Sequence, residues 1–172
     1  MLTRPAQGEV SSPFGWRWNY TDWHGGVDFA GNVGAPVLAA DSGTVVNVWP
    51  NGAMSKYGRT IVLAHDKPTG SATHSLYAHL SASQVVKGQR VQKGQRIGSI
   101  GTTAASSWDA NRTVPPHLHF ELLDRWPPPA SDVGRINPTY ALGIQGPGSG
   151  LGPVVVAAFF GLWLWSRKRG RA

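Results

Sequence analysis

Apolar and polar positions alternate in short runs along most of this chain, a period of two that marks half-buried β-strands. Residues 36–40, 43–49, 60–65, 74–79, 90–91, 96–100 and 117–122 each read as a strand rich in Val, Ile, Leu and aromatic side chains. Gly, Asn, Asp and Pro punctuate the gaps, and no helical period longer than two turns precedes the C-terminal tail. The pattern predicts an all-β domain of antiparallel strands, arranged as two sheets or a partly open barrel with a groove walled by loops. Within it, Val86-Lys-Gly-Gln-Arg-Val91 is echoed by Val91-Gln-Lys-Gly-Gln-Arg-Ile97, which suggests a tight hairpin.

The tail follows a different pattern. From Pro153 to Trp165 the chain is apolar on every side and uncharged, and Arg167, Lys168, Arg169 and Arg171 follow directly. Thirteen helical residues extend about 20 Å, short of the ~30 Å hydrocarbon core of a bilayer. A buried core helix is one reading. A Gly/Pro/Ser-rich stretch separates the run from the domain, however, and Trp163 and Trp165 beside a basic flank suit a membrane interface. The expected organisation is a domain over 1–140, a linker over 141–152, a short apolar helix serving as a membrane anchor over 153–166, and a basic tail over 167–172.

Composition changes this picture little, and charge corrects one impression. Cysteine is absent, so disulfide and thiolate chemistry are excluded, while 22 glycines and 13 prolines suit a turn-rich β protein. The net charge of +7 hints at nucleic acid, yet four of the sixteen cations sit in the tail. The remaining twelve face nine acids, a surplus of only three, so no nucleic-acid partner is expected. The first residues carry no apolar run of the kind a secretory signal needs.

Chemistry concentrates in two places. In Pro115-Pro-His-Leu-His-Phe-Glu-Leu122, His117 and His119 project from one face of a strand roughly 7 Å apart, with Leu118 and Phe120 on the other. Paired surface histidines are one explanation. In His24-Gly-Gly-Val-Asp28, the two end residues would stand about 13 Å apart in an extended strand. Gly25 and Gly26 allow the backbone to bend and bring them together. Zinc takes imidazole and carboxylate ligands at about 2 Å, and a catalytic site keeps one position open. One histidine of the later pair completes such a set, and the other is free for proton transfer.

Together with Tyr77-Ala-His-Leu80 and Ser12-Pro-Phe-Gly-Trp-Arg17, these motifs resemble the lysostaphin/LytM-type zinc metalloendopeptidases, in the family's order over about residues 5–125. The resemblance implies that His24, Asp28 and His119 ligate Zn²⁺. It implies that His117 is the general base and that His79 steadies the oxyanion or the water. It also implies a substrate in the peptide part of peptidoglycan, either stem peptides or cross-bridges. Glu121, and more weakly Asp22 and Tyr77, are candidates to support the ligands by hydrogen bonds. His65 and His74 read as structural or surface groups, because alternation turns His74 away from His79. Trp49, Tyr57 and Trp108 are candidates for the groove walls. The Val-Lys-Gly-Gln echo also resembles biotinyl and lipoyl carrier hairpins, but neither Lys87 nor Lys93 has the setting of a modified lysine. The expected placement is a membrane-anchored enzyme facing the cell wall. A phage particle or lysis enzyme is preferred there over a cellular wall-remodelling hydrolase.

Overall fold

In the computed structural model the described residues are 1–17, 20–49, 55–104, 113–127 and 134–144. The expected linker beyond 144, the apolar run 153–166, the basic tail and Trp108 all lie outside them. Among the described residues no helix is long and apolar enough to cross a membrane.

The chain opens with four short strands, β1 (Val10–Ser12), β2 (Gly15–Arg17), β3 (Asp22–His24) and β4 (Val27–Ala30). β5 (Pro36–Leu38) and β6 (Gly43–Trp49) follow, then the long pair β7 (Thr60–Thr69) and β8 (Ala72–Ala78). Next come β9 (Leu80–Ser83), β10 (Arg90–Val91), β11 (Arg96–Thr103), β12 (Thr113–Leu123) and β13 (Arg135–Ile136). The only α-helix among the described residues is one turn, Pro138–Ala141, capped by the Asn137 side chain. Every ladder is antiparallel.

The main sheet runs β1-β4-β12-β8-β7-β6-β10, and off this path β11 joins β12 to β5 and β9 while β13 pairs with β12. β2 and β3 form a separate hairpin. The all-β, antiparallel prediction therefore holds. The predicted strands are present, with β7, β11 and β12 longer than read. The strands missed are short (β1, β2, β3, β4, β9 and β13), too brief for alternation to show.

The expected hairpin over 86–97 does not form. β10 pairs with β6, and β11 pairs with β5, β9 and β12. The echo is instead one turn used twice. Gln89 N–H reaches Val86 O and Gln95 N–H reaches Gln92 O, with Gly88 and Gly94 at φ of 87° and 80°. Each turn is locked by its own glutamine, whose Oε1 accepts from the Val86 or Gln92 N–H. A Lys-Gly pair supplies the left-handed residue such a turn needs.

The two faces of the main sheet do different work. Register sets Leu118 opposite Phe29 and Phe120 opposite Val27 and Tyr77, and all five are buried in the main core with Ile61, Leu63 and Ile100. On the reverse face His119 lies opposite both Asp28 and Ala78, and Glu121 opposite Leu76. A second, smaller cluster of Tyr57, Val62, Leu76, Ala78 and Leu123 covers that face beside the polar groups. Trp49 packs on Trp126 against this cluster with ring centroids 5.6 Å apart, so it covers apolar surface and does not line the groove.

Candidate metal centre and active site

Two pieces of local geometry bring three ligand atoms together. β3 ends at His24, the chain turns through Gly25 and Gly26, and β4 begins at Val27, so the bend predicted at the two glycines is present. A Cβ on Gly26 would lie 2.3 Å from the Phe120 carbonyl oxygen, so the corner passes too close to β12 for any other residue. Across the β4–β12 ladder, Asp28 and His119 are direct partners, so their side chains share a face.

The result is a compact triangle. His24 Nε2 lies 3.0 Å from Asp28 Oδ1 and 3.0 Å from His119 Nδ1, and the last two atoms are 2.8 Å apart. Zinc bonds of about 2.05 Å in a tetrahedron give ligand edges of about 3.3 Å, so the triangle needs to open by only a few tenths of an ångström. The outer nitrogens agree with this use. His24 Nδ1–H donates to Pro13 O at 2.7 Å, which leaves Nε2 with its lone pair toward the centre. His119 Nε2–H donates to Glu121 Oε1 at 3.0 Å, which turns Nδ1 inward. Among the described residues these three are the group of ligand atoms close enough to share one ion.

Electrostatics of the metal-free pocket point the same way. Burial opposes charge on His119, but hydrogen bonds to Asp28 and Glu121 outweigh it and raise its pKa to about 9. Burial pushes Asp28 up, and the hydrogen bonds from His119 and His24 overcome it, holding the carboxyl well below its usual range. Glu121 is likewise lowered despite burial, first by its hydrogen bond from His119. An imidazolium thus sits among carboxylates where a cation of greater charge fits.

His117 and His79 complete the site. His117 Nδ1–H donates to Pro115 O at 2.6 Å, and its Nε2 lies 3.8 Å from Asp28 Oδ1. His79 Nδ1–H donates to Thr103 O at 2.8 Å, and its ring centroid is 4.6 Å from that of His117. Burial first, then the neighbouring imidazoles, lower the His79 pKa to about 3. His79 is therefore neutral with its Nε2 lone pair free, and it can donate only after it has taken up a proton. His79 also has φ of 60°, a conformation costly for a residue with a side chain. Alternation along β8 would send it to the core with Tyr77. The left-handed backbone after Ala78, fixed by His79 N–H to Tyr57 O at 2.9 Å, turns it into the groove.

The groove has a volume of about 470 Å³ and is lined by all five residues, with Arg17, Asp22, Trp23, Lys56, Tyr57, Glu121 and Arg135 around them. Asp22 reaches the groove through an ion pair with Arg17, which lies 3.9 Å from Asp28 Oδ2. Tyr77 does not support the site. Its hydroxyl accepts from Ala40 N–H at 2.8 Å on the core face, with Ser75 Oγ 2.9 Å away, and His65 Nε2 adjoins that same serine. His74 also stays out of the groove, but on the reverse face of the sheet opposite Leu123, bonded to Thr73 Oγ1. The sequence reading missed Arg135 and gave Arg17 no role; only Arg17 stood in a recognisable motif.

With the geometry in place, the model of peptidase family M23 matches residues 22–130, more than half of the chain. The chain belongs to peptidase family M23. The family is zinc-dependent. This M23 chain is 38% identical over 105 residues to the peptidoglycan DD-endopeptidase ShyA of Vibrio cholerae, covering 61% of the chain and 21% of ShyA. It is 32% identical over 118 residues to the murein hydrolase activator NlpD of Escherichia coli, covering 69% of the chain and 27% of NlpD. Lysostaphin from Staphylococcus simulans superposes with a TM-score of 0.62 at 28% identity, over 90% of this chain and 57% of that one. The chain thus spans about a fifth to a quarter of these curated relatives' length.

Proposed function

We propose that this chain is a zinc-dependent endopeptidase that hydrolyses peptide bonds in bacterial peptidoglycan. The observation that carries the reading is the inward triangle of His24 Nε2, Asp28 Oδ1 and His119 Nδ1, with His117 and His79 beside it, each tied through Nδ1 to a backbone carbonyl. A relative reduced to a non-catalytic activator has no need of this full set.

When bound, zinc supplies Lewis acidity to the scissile carbonyl and to the attacking water. The chain's own residues do the rest. His24, Asp28 and His119 hold the ion, with tautomers set by Pro13 O and Glu121. His117 Nε2 faces the triangle and accepts the proton from water, a contribution typically worth about 10²–10⁴ in rate. The proton then passes to the leaving amine. His79, kept neutral in the resting site, accepts a hydrogen bond from the attacking water through its Nε2 lone pair and so holds the water beside His117.

The test combines metal content with cleavage. His119→Ala should lose both zinc and the digestion of defined muropeptides followed by mass analysis. His117→Ala should keep its zinc and cleave at least 100-fold more slowly. A His117→Ala protein that releases the metal while His119→Ala retains it would reverse the two roles. The uncharged run 153–165 and its basic flank support placement at a membrane with the groove toward the wall, in a phage-borne or lysis enzyme. Flotation of the full chain with lipid vesicles tests that placement.

A further inference from the structure

We propose that Arg135 is a positioning residue for the metal centre, clamping Glu121 and Tyr57 so that Glu121 holds the ring of His119; the proposal rests on the zinc reading of that site. Arg135 lies past the family-matched residues 22–130, on β13. β13 pairs with β12 so that Arg135 stands opposite Leu123, one strand period from Glu121 on the same face. A long side chain spans that diagonal. Its Nε donates to Glu121 Oε2 at 3.2 Å and its Nη2 to the Tyr57 hydroxyl at 3.1 Å. The Tyr57 hydroxyl donates in turn to Glu121 Oε1 at 2.7 Å, the oxygen that also accepts from His119. Three elements thus converge on one carboxylate whose side chain is only 2% exposed.

An uncompensated carboxylate at that depth would be costly. The planar guanidinium answers its charge and fixes its rotation by meeting the carboxylate and the phenol from two rigidly spaced nitrogens, a fork that the single nitrogen of an ammonium lacks. A second observation explains the route. A Cβ on Gly25 would sit 2.3 Å from Arg135 Cδ and 2.6 Å from its Nε. The first glycine of the His-Gly-Gly corner is therefore the gap through which Arg135 reaches Glu121. Partners that orient a ligating histidine typically change metal affinity about 10–100-fold when removed.

The experiment is chelator competition for zinc on the full chain, beside thermal melting of the metal-free protein. Arg135→Gln should bind zinc at least tenfold more weakly, and Arg135→Lys should recover only part of the loss. In a Glu121→Gln background, Arg135→Gln should add less than a twofold change, because its effect passes through that carboxylate. Zinc affinity within twofold of the wild type, or an equal loss in both backgrounds, would overturn the clamp. Should Arg135→Gln fail to melt cooperatively, Tyr57→Phe decides the question. It keeps both charges and should weaken zinc severalfold only while Glu121 is present; no loss, or the same loss without Glu121, overturns the clamp. If the wild type takes up no zinc, or His119→Ala binds it undiminished, the metal reading itself fails and the clamp with it.

Discussion

His119 carries a carboxylate on each ring nitrogen, Asp28 at 2.8 Å and Glu121 at 3.0 Å. In the metal-free protein its pKa stands above the ordinary 6.5, near 9. A raised histidine pKa adds stability that is fully present below about pH 6.5 and is lost as pH rises through about 9. On the proposed reading zinc would take the same Nδ1 and displace a proton there, so its affinity should rise about tenfold per pH unit until about pH 9. Two opposite trends follow: the metal-free melting temperature falls over this window while zinc affinity climbs. Melting curves and chelator competition at several pH values check both, and a pH-independent affinity would contradict the assignment of His119. At this scale the sequence was legible wherever a motif gathered its residues, as with His24, Asp28, His117 and His119. Arg135 was not legible, since a lone arginine in a proline-rich stretch becomes significant only through the pairing of β13. Tyr77 was misread for the converse reason: its neighbour His79 reaches the groove by leaving the strand's alternation.

Among the elements, the corner between β3 and β4 carries a tight constraint directly at the site. Gly26→Ala places a methyl group against the Phe120 backbone, which cannot move without disturbing the β12 ladder. We expect a loss of about 1–3 kcal/mol in stability. Zinc binding should weaken too, because the displaced corner carries both His24 and Asp28. Urea denaturation of the metal-free variant measures the first effect, and chelator competition the second. An unchanged variant would mean that β4 can shift freely against β12. The long strands β6, β7, β8 and β12 were readable because each carries a run of aliphatic, β-branched and aromatic residues bounded by turn signals, and β7, β8 and β12 bury both faces along part of their length. The three-residue strands around the site escaped notice because they are defined by partners and corners more than by pattern.

For the whole molecule, core contacts continue beyond residue 140 among the described residues. Leu2 N–H bonds to Ala141 O, Leu142 is buried in the main core, and Ile144 packs against it. The sequence suggests a linker over 141–152, and within it Ala141, Leu142 and Ile144 pack with the core. A chain ending at Ile144 should keep the melting temperature and muropeptide cleavage of the full chain and should lose vesicle flotation. A chain ending at Ala141 removes Leu142 from the core and should melt lower; truncation of buried leucine to alanine alone costs about 2–5 kcal/mol. Loss of cooperative melting at Ile144 would show instead that residues beyond 144 belong to the folded unit. The opposed faces of the main sheet explain why the body of the fold was legible and the groove only in part. One face is specified by apolar periodicity, the other by contacts between distant segments.

The direct pairing of Asp28 with His119 has a further consequence. A slip of one position between β4 and β12 would invert every side chain of the slipped strand, turning its ligand toward the oily side and exposing its core residues. A mispaired chain therefore cannot assemble the chelating triad, however compact it becomes. On the zinc reading, ion uptake would act as a proofreading step on strand alignment, and the fraction of refolded chains that retain zinc would count those that aligned correctly.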